Sequence, residues 1–217
     1  MHHARVWGAA FLCGFASIAT DARSQAWSYP AFQIPRIVER EWNIGVADGG
    51  IAGVSAVFQW REQTTVRTQW SVDAGVADPD RGELGTSVFV GGQFAYQLST
   101  ATNEAPLDFL LTSGVNVALG RRPVFRVPVG VVVGHRFLLE GDLAITPFVH
   151  PRISVDICSK CSNSSELGLI FDLGANLDLT RSLALRASAF FGGSDLFDDD
   201  GFGISIAWRP PPLTPSR

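Results

Sequence analysis

Hydrophobic and polar residues alternate along much of the chain, and the longest alternation runs from Val124 to Ile157. Every second residue from Phe125 to Phe137 is apolar except His135, and most of the positions between them are small or charged. After a four-residue break at 139–142 the alternation resumes and continues to Ile157. A period of two residues is typical of β-strands, so two long runs joined by a short break predict a β-hairpin.

The same pattern recurs along the chain and predicts ten strands. Eight is the fallback count, because the first two runs are the shortest. No segment with a helical period competes with the strands, so the sequence predicts an all-β fold, an antiparallel up-and-down barrel. The predicted strands span 42–47, 52–61, 65–77, 86–98, 108–119, 124–138, 143–157, 167–179, 183–192 and 201–209.

Composition indicates which face of these strands points outward. Alternation alone fits both a soluble barrel with an apolar interior and a membrane barrel with an apolar exterior. The polar face consists mainly of Gly, Ala, Ser, Asn and Gln with Arg and Asp, and Lys160 is the one lysine in the sequence. Because a soluble domain normally covers itself with charge, much of it Lys and Glu, the sequence predicts a transmembrane barrel with a polar lumen.

Aromatic residues on the apolar face fall near the strand ends when both chain termini are placed in the periplasm. Aromatic belts of this kind are expected at the two membrane–water interfaces. Trp70 and Phe171 fall between the two predicted belts. The periplasmic belt comprises Trp42, Trp60, Tyr96, Phe109, Phe137 and Trp208, and the outer belt comprises Phe125, Phe191 and Phe202.

The first 26 residues have the features of a cleaved signal peptide. A weakly basic start precedes an apolar run at 6–19, and Ser24-Gln25-Ala26 places small residues where signal peptidase cleaves. The alternative is an uncleaved anchor, although the apolar run is too short to span a bilayer. The predicted organisation is a signal peptide at 1–26, a periplasmic lead-in at 27–41, the barrel at 42–209 and a proline-rich tail at 210–217.

The net charge excludes one class of partner. The formal charge of the whole chain is −4. Loss of the predicted signal peptide removes Arg5, Arg23 and Asp21, which leaves 15 basic and 20 acidic residues and a charge of −5. This mildly acidic balance argues against nucleic acid as a partner.

Signal peptide, alternating strands, aromatic belts and a final strand ending in Ile206-Ala207-Trp208 resemble the small outer-membrane β-barrel proteins of Gram-negative bacteria. The OmpA-like and opacity-type group is the most similar. The resemblance covers roughly 41–209 and is one of pattern; such barrels commonly end on an aromatic residue recognised by the assembly machinery, whereas here Arg209 and three prolines follow Trp208. It implies a monomer in the outer membrane, in contact with outer-membrane lipid, lipopolysaccharide and the barrel assembly machinery.

The charged residues on the predicted lumen face form the first candidate site. Charges inside a narrow barrel need partners, so two interpretations stay open: a salt-bridged plug and a narrow, porin-like pore. Asp178 and Arg186 lie diagonally across a predicted hairpin, within reach of each other. Proline lacks a ladder donor, so a bulge or local break is expected near Pro147–Pro151. The predicted lumen charges are Arg67, Asp73, Arg126, Arg136, Arg152, Asp156, Asp172, Asp178 and Arg186.

Two loops carry further candidates. Cys158 and Cys161 are the cysteines left after processing, and the oxidising export compartment favours a disulfide between them. Reduced thiols and a metal site are the alternatives, and zinc would need two more ligands. Asp195 and the run 198–200 crowd the last outer loop, where a solvated loop is expected and weak divalent-cation binding is the alternative. Neither a metal site nor a cofactor is predicted.

An enzymatic barrel is the alternative function. After the signal peptide the chain has two histidines, His135 facing lipid and His150 facing the lumen. Ser154 shares the face of His150 but lies about 13 Å along the strand, too far for a nucleophile–base pair. The sequence therefore predicts no enzyme, but a structural or narrow-pore outer-membrane barrel with polar outer loops. An outer-leaflet enzyme acting on lipid or peptide and a secreted soluble barrel binding an apolar ligand are the alternatives.

Overall fold

The computed structural model describes residues 31–49, 53–78, 86–119, 123–159, 165–194, 197–198 and 200–210. These residues form ten long strands and two strands of two residues each. The predicted signal peptide and most of the tail lie outside the described residues. The strands are β1 Arg40–Gly49, β2 Val54–Thr65, β3 Thr68–Asp78, β4 Ser87–Ser99, β5 Asp108–Leu119, β6 Val124–Gly134, β7 Phe137–Leu138, β8 Ala144–Cys158, β9 Ser165–Asp178, β10 Leu183–Ser194, β11 Phe197–Asp198 and β12 Gly201–Trp208.

The ten long strands form a closed antiparallel barrel. Each long strand pairs with the next along the chain, and β12 returns to pair with β1. The closing ladder runs without a shift of register from Trp42↔Trp208 to Gly49↔Gly201. The predicted all-β, ten-stranded up-and-down barrel is thereby confirmed, and the fallback of eight strands is not needed.

No helix in the described part of the chain has the length and hydropathy needed to cross a membrane.

The two ends of the barrel differ in their connections. We call the end at which β1 begins the near rim; it carries the connections 66–67, 100–107, 135–143 and 179–182. The opposite end is the far rim. The long near-rim connection 100–107 is ordered by its own hydrogen bonds, since Thr102 N donates to Ala105 O at 2.8 Å and Ala101 N donates to Asp108 Oδ1 at 2.8 Å.

Apolar side chains cover the outside of the barrel, and the buried polar and charged side chains point into the lumen. Ile44 and Leu169 are each 66% exposed on the outer surface, whereas their neighbours Asn43 and Ile170 point inward and are buried. Since successive strand residues point to opposite faces, one register fixes the side of every residue in a strand. The outward apolar face that composition predicted is the arrangement observed.

One predicted turn is wrong, and it moves a predicted lumen residue. The sequence placed the β2–β3 connection at 62–64, whereas the structure places it at Val66 and Arg67. Thr65 pairs with Thr68, their hydroxyls are 2.7 Å apart, and β2 extends four residues beyond its predicted end while β3 begins three residues later than predicted. No glycine, proline or asparagine marks the turn in the sequence. Arg67 is therefore exposed at the near rim and does not face the lumen.

The prolines of β8 interrupt one edge of that strand without shifting its register. Pro147 and Pro151 both keep their places opposite β9. On the other edge, pairing with β6 lapses between Gly130↔Arg152 and Val133↔Val149 and then resumes in the same register. The predicted local break is present, because Pro151 offers no N–H there, but a bulge is absent from this part of the described ladder.

Part of the predicted lead-in lies inside the barrel. Residues 31–39, which we call the inserted segment, run through the near half of the lumen, and residues 31–35 are buried. The segment leaves at the near rim, where Gln63 N donates to Glu39 O at 2.8 Å. Side chains alone fill the interior of an eight-stranded barrel, so two additional strands leave room for one extended chain.

Two apolar clusters pack inside the lumen. Towards the near rim, Ile37 of the inserted segment packs against a cluster made of Ala95, Leu110, Val132 and Phe148. The second cluster lies in the far half of the lumen and comprises Ala47, Val57, Ala77, Phe89, Ala118, Val124 and Cys158. The polar residues of the lumen lie mainly between and beside these clusters.

Candidate functional site

Glu41 is the centre of the largest charge cluster in the lumen. It is fully buried and accepts hydrogen bonds from three arginines: Arg61 Nη1 at 2.7 Å, Arg186 Nη2 at 2.6 Å and Arg209 Nε at 2.9 Å. The sheet brings these residues together, because Glu41 lies directly opposite Arg61 and β12 pairs with both β1 and β10. Buried charges of this kind persist only when paired and hydrogen-bonded.

Asp178 is the second carboxylate of this cluster. It accepts hydrogen bonds from Arg209 Nη1 at 2.9 Å, from Arg136 Nε at 3.1 Å and from Asn176 Nδ2 at 2.7 Å. The predicted contact between Asp178 and Arg186 is not the one formed. Register places Arg186 opposite Asn176, to which its Nε donates at 2.8 Å, and the rest of its guanidinium turns to Glu41.

Two more predicted lumen charges pair directly across neighbouring strands. Arg126 of β6 lies opposite Asp156 of β8, and its Nε and Nη2 donate to the two carboxylate oxygens at 2.7 and 2.9 Å. Ser194 Oγ donates to the same carboxylate at 3.0 Å. This two-pronged geometry is the strong form of an arginine–carboxylate pair.

Arg152 and Asp172 form the adjacent pair, with Arg152 Nη2 donating to Asp172 Oδ1 at 2.7 Å. His150 Nδ1 lies 3.4 Å from the other oxygen of Asp172, and His150 Nε2 lies 2.8 Å from Thr112 Oγ1. Gly130 of β6 makes this reach possible, since a Cβ at that position would lie 3.0 Å from the His150 ring. Sequence reasoning missed Thr112, because β6 separates its strand from that of His150.

The order hydroxyl, imidazole, carboxylate resembles the relay that activates a nucleophile in hydrolases. Here all three side chains are at least 96% buried in the lumen wall. Thr112 Oγ1 is also within donating distance of Gly130 O, at 3.2 Å. The hydroxyl is therefore held between His150 and Gly130 O inside the wall and is not presented to an open surface.

Asp73 also lies in the lumen, as predicted from alternation. It is fully buried in β3, and Gln93 Nε2 of the next strand donates to its Oδ2. Of the nine predicted lumen charges, Arg67 is the one that does not lie in the lumen, because it is exposed in the near-rim turn. Arg136 is partly exposed at the near rim.

The wall also holds the inserted segment through its backbone. Ala31 O accepts from Arg61 Nη2 at 3.0 Å, and Phe32 O accepts from Arg186 Nη1 at 2.8 Å. Nearer the rim, the side-chain amide of Gln97 donates to Pro35 O and accepts from Ile37 N, both at 3.0 Å. The wall arginines therefore serve both Glu41 and the inserted chain.

A cavity of about 610 Å³ opens at the near rim along the inserted segment. Residues 34 and 36–40 of the chain form one side of it, and Arg136, Asp178 and Arg209 form the other. Arginine side chains of the segment and of the wall thus line the mouth of the lumen beside the point at which the segment leaves.

The aromatic residues predicted to form belts all lie on the outer face of the barrel. Trp42 and Trp60 stack with their ring centroids 5.6 Å apart, and Trp70 meets the edge of Trp60 at 4.7 Å. Trp70 therefore joins the near-rim belt and does not lie between the belts. The other near-rim members are Tyr96, Phe109, Phe137 and Trp208, and Phe125, Phe191 and Phe202 lie towards the far rim.

Cys158 is disulfide-bonded and buried at the end of β8. Cys161, the partner that the sequence predicts, lies outside the described residues. The acidic far-rim loop is described only in part; there Asp200 Oδ1 accepts a hydrogen bond from Gly192 N at 2.9 Å. Among the described residues no group of three potential ligand side chains could hold a metal ion.

Sequence reasoning missed the strongest part of the site. Glu41 was assigned to the lead-in, and Arg61 and Arg209 were assigned to strand ends. The inward set of β1, which includes Glu41, Asn43 and Gly45, does alternate with Trp42 and Ile44 in the sequence. That short alternation is the signal that could have placed Glu41 in the lumen.

No protein-family model matches the chain, and no curated protein matches it. Solved structures do. The beta domain of the Bordetella autotransporter Brka is 12% identical and matches over 79% of this chain and 99% of its own, with a TM-score of 0.52. This similarity shows the fold alone, a barrel of the outer-membrane type; the narrower OmpA-like and opacity-type resemblance stays a prediction.

Two further matches have lower TM-scores and add nothing to that conclusion. The outer membrane protein Omp33 of Acinetobacter baumannii is 10% identical, with a TM-score of 0.39 over 79% of this chain and 98% of its own. LpxR from Salmonella typhimurium is 11% identical, with a TM-score of 0.43 over 83% of this chain and 78% of its own.

Proposed function

We propose that this protein is a structural outer-membrane β-barrel of a Gram-negative-type bacterium, with a lumen sealed in its resting state. One observation carries the proposal: the outside is apolar, while the lumen is filled by paired charges and by the inserted segment. In a soluble protein the apolar outer surface would be exposed to water. In an open lumen the ion pairs would be hydrated and the inserted segment would not be bound by the wall.

The outer surface supports membrane insertion. The ten long strands have 8 to 15 residues, close to the 9–11 that a tilted strand needs to cross the hydrocarbon core. Aromatic residues lie towards both rims, where amphipathic rings favour the interface. The near rim faces the periplasm in this proposal, because the predicted signal peptide delivers the chain from that side.

The side chains in the lumen favour a sealed barrel over a conducting pore. Glu41, Arg61 and Arg186 are each no more than 2% exposed. A water-filled channel would expose such charges, as in large porins, whereas small barrels fill their interiors with side chains. The far half is closed in addition by the apolar cluster around Phe89.

Single-channel recording in planar bilayers tests this function. The protein is refolded in detergent, and folding is verified by a heat-dependent shift on gels. We expect insertion without conductance steps. Discrete, stable steps from the unmodified chain would support the narrow-pore alternative, and solubility in plain buffer without detergent would support the soluble-barrel alternative.

The partners in this proposal are those of a membrane-embedded monomer. The apolar belt contacts outer-membrane lipid, the far-rim loops meet lipopolysaccharide, and the barrel assembly machinery inserts the chain. No nucleic acid and no cofactor are included. Sedimentation in detergent tests the monomer, since a stable oligomer would appear at a multiple of the mass of the mature chain.

Catalysis is the second candidate function, and the arrangement of Thr112, His150 and Asp172 is the observation that favours it. We propose that the barrel is not an enzyme, because these side chains are buried and directed at one another. The test compares hydrolysis of outer-membrane lipid by the native chain and by His150→Gln. Turnover that is lost in the variant, while the folded fraction is unchanged, would support the enzyme and contradict this proposal.

A further inference from the structure

We propose that the near half of the lumen is a binding site for an extended polypeptide, and that residues 31–39 are a tethered ligand that another peptide can replace. The proposal rests on the proposed function in one respect, the assignment of the near rim to the periplasm, from which a peptide would arrive. Binding is measured separately from insertion and conductance, so the two proposals fail independently.

The wall recognises the backbone of the inserted segment. Carbonyl oxygens of Ala31, Phe32 and Pro35 accept hydrogen bonds from wall side chains. Backbone N–H groups of Ile37 and Val38 donate to the amides of Gln97 and Gln69, both at 3.0 Å. Contacts of this type are made to the main chain and not to particular side chains, which is how domains that bind extended peptides gain affinity.

The wall keeps its ion pairs when the segment leaves. Arg61 and Arg186, which hold Ala31 O and Phe32 O, are also bonded to Glu41, at 2.7 and 2.6 Å. Gln97 Nε2 lies within 2.8 Å of Ser99 O and within 3.2 Å of Phe109 O. Because no buried charge loses its counter-charge, withdrawal costs hydrogen bonds to the segment and does not leave unpaired ions.

Two glycines of the wall lie against two side chains of the ligand. The Phe32 ring, fully buried, lies 3.3 Å from the point where a Cβ on Gly45 would be. Pro35 Cγ lies 3.0 Å from the equivalent point on Gly134. Phe32 is also held at a φ of 47°, a left-handed conformation that is unfavourable for a bulky residue. The site therefore prefers an aromatic residue followed three positions later by proline.

The site is reachable from the near rim. The cavity of about 610 Å³ runs beside residues 36–40, and exposure of the segment increases from Pro35, which is buried, to Glu39, which is exposed. A peptide can therefore displace the segment progressively from the rim inward. The geometry defines the ligand class as an extended peptide with the pattern aromatic-x-x-Pro.

The first experiment measures binding in trans. Residues 31–39 of the full chain are replaced by a Gly/Ser stretch of equal length, and a fluorescent peptide of sequence 31–39 is titrated while its anisotropy is followed. We expect saturable binding. A peptide with Phe32→Ala should bind about 30-fold more weakly, since it loses a fully buried aromatic ring. Gln33→Ala is the matched control, because in the described part of the chain the Gln33 side chain bonds only to Ile34 O, within the segment.

Each outcome decides. Saturable binding with the expected order of the two peptides supports the site, and so does folding of the replaced chain only when peptide is present. A folded replaced chain that does not bind overturns the proposal. Equal affinity of the Phe32→Ala and Gln33→Ala peptides overturns the proposed binding site of the Phe32 ring.

A second experiment uses the otherwise intact chain, in case the replaced chain does not fold at all. A cysteine at Ala31, which is 3% exposed, reacts with a water-soluble maleimide only when the segment leaves the lumen. Combining Gln69→Ala with Gln97→Ala removes three hydrogen bonds to the segment and should accelerate labelling by about tenfold or more. Gln63→Ala is the control, because Gln63 holds the segment through its backbone N–H alone. Equal labelling rates in the two variants overturn the proposal.

Discussion

At the scale of single residues, the lumen depends on a few carboxylates that are shared by several arginines. Glu41 accepts hydrogen bonds from residues on β2, on β10 and just after β12, and it lies itself on β1. One carboxylate therefore connects four points of the barrel wall. Removal of one member of such a group leaves the others buried without compensation, which is costly.

Glu41→Gln is expected to lower the free energy of unfolding by about 3–5 kcal/mol, because Arg61, Arg186 and Arg209 keep their charges in a buried place. Urea unfolding in lipid vesicles, followed by tryptophan fluorescence, measures the change. Glu62→Gln is the control: its pair with Arg40 is partly exposed, and we expect less than about 1 kcal/mol there. Equal effects of the two substitutions would contradict the central place of Glu41.

At the scale of strands and turns, most of the fold could be predicted from the sequence. Period-two alternation is a local signal, and it placed all ten long strands and the face of Asp73, Arg126 and Asp156. Pairing between distant strands is not local. The contact of Arg186 with Glu41 depends on closure of β12 against β1, and the turn at Val66 and Arg67 carries no turn residue, so neither could be obtained from the chain alone.

The inserted segment was outside the reach of pattern analysis for a related reason. Residues 31–39 have no period, and their extended form is imposed by Gln69, Gln97 and the wall arginines. A segment whose conformation is determined by contacts with the barrel wall shows no secondary-structure signal in its own sequence. The sequence therefore predicts a lead-in before the first strand and carries no signal that would place it inside the lumen.

Gly75→Ala tests the packing between β3 and β4. A Cβ at Gly75 would lie 2.2 Å from the Phe89 ring, so Phe89 would have to leave the apolar cluster of the far half. We expect a loss of about 1–3 kcal/mol in unfolding free energy, typical of an overpacked core. Gly92→Ala, on the outer face of β4, would meet nothing closer than 3.8 Å and should be nearly neutral. Thermal unfolding of the two variants distinguishes them, and a tolerated Gly75→Ala would contradict the Phe89 packing.

Arg209→Ala tests how much the ion pairs of Arg209 at the end of β12 contribute to stability. The side chain bonds both Glu41 and Asp178, each of which keeps another arginine in its absence. We expect a loss of about 1.5–3 kcal/mol, the usual contribution of hydrogen bonds between charged groups. Arg181→Ala removes an exposed pair with Asp142 and should change stability by less than about 0.5 kcal/mol. Should both variants unfold at the same urea concentration, Arg209 would have no part in holding the final strand.

At the scale of the whole molecule, apolar side chains lie outside and charged side chains lie inside, the reverse of a soluble domain. Large apolar side chains such as Ile44, Leu169 and Ile204 are at least half exposed, while charged side chains fill the interior. The barrel therefore has a solvent preference that can be measured without knowledge of any ligand.

Quenching of tryptophan fluorescence by brominated lipids measures that preference. Trp42, Trp60, Trp70 and Trp208 lie together at the near rim, so bromine near the headgroup should quench more strongly than bromine at the acyl-chain ends. Trp27→Phe removes the remaining tryptophan of the predicted mature chain and makes the signal specific to this belt. If neither bromine position quenches the tryptophan fluorescence, the barrel does not enter the bilayer.

The pairing of β1 with β12 also constrains the order of folding. Glu41 and Arg209 are 168 positions apart, and bringing the ends of such a loop together costs about 4–5 kcal/mol of chain entropy. Contacts this distant in sequence form late and slowly, so two unpaired strand edges persist until the last residues arrive. Exposed edges invite pairing between chains and aggregation. Biogenesis therefore has to shelter β1 for as long as β12 is missing, and the inserted segment, joined directly to β1, is enclosed in the same closing step.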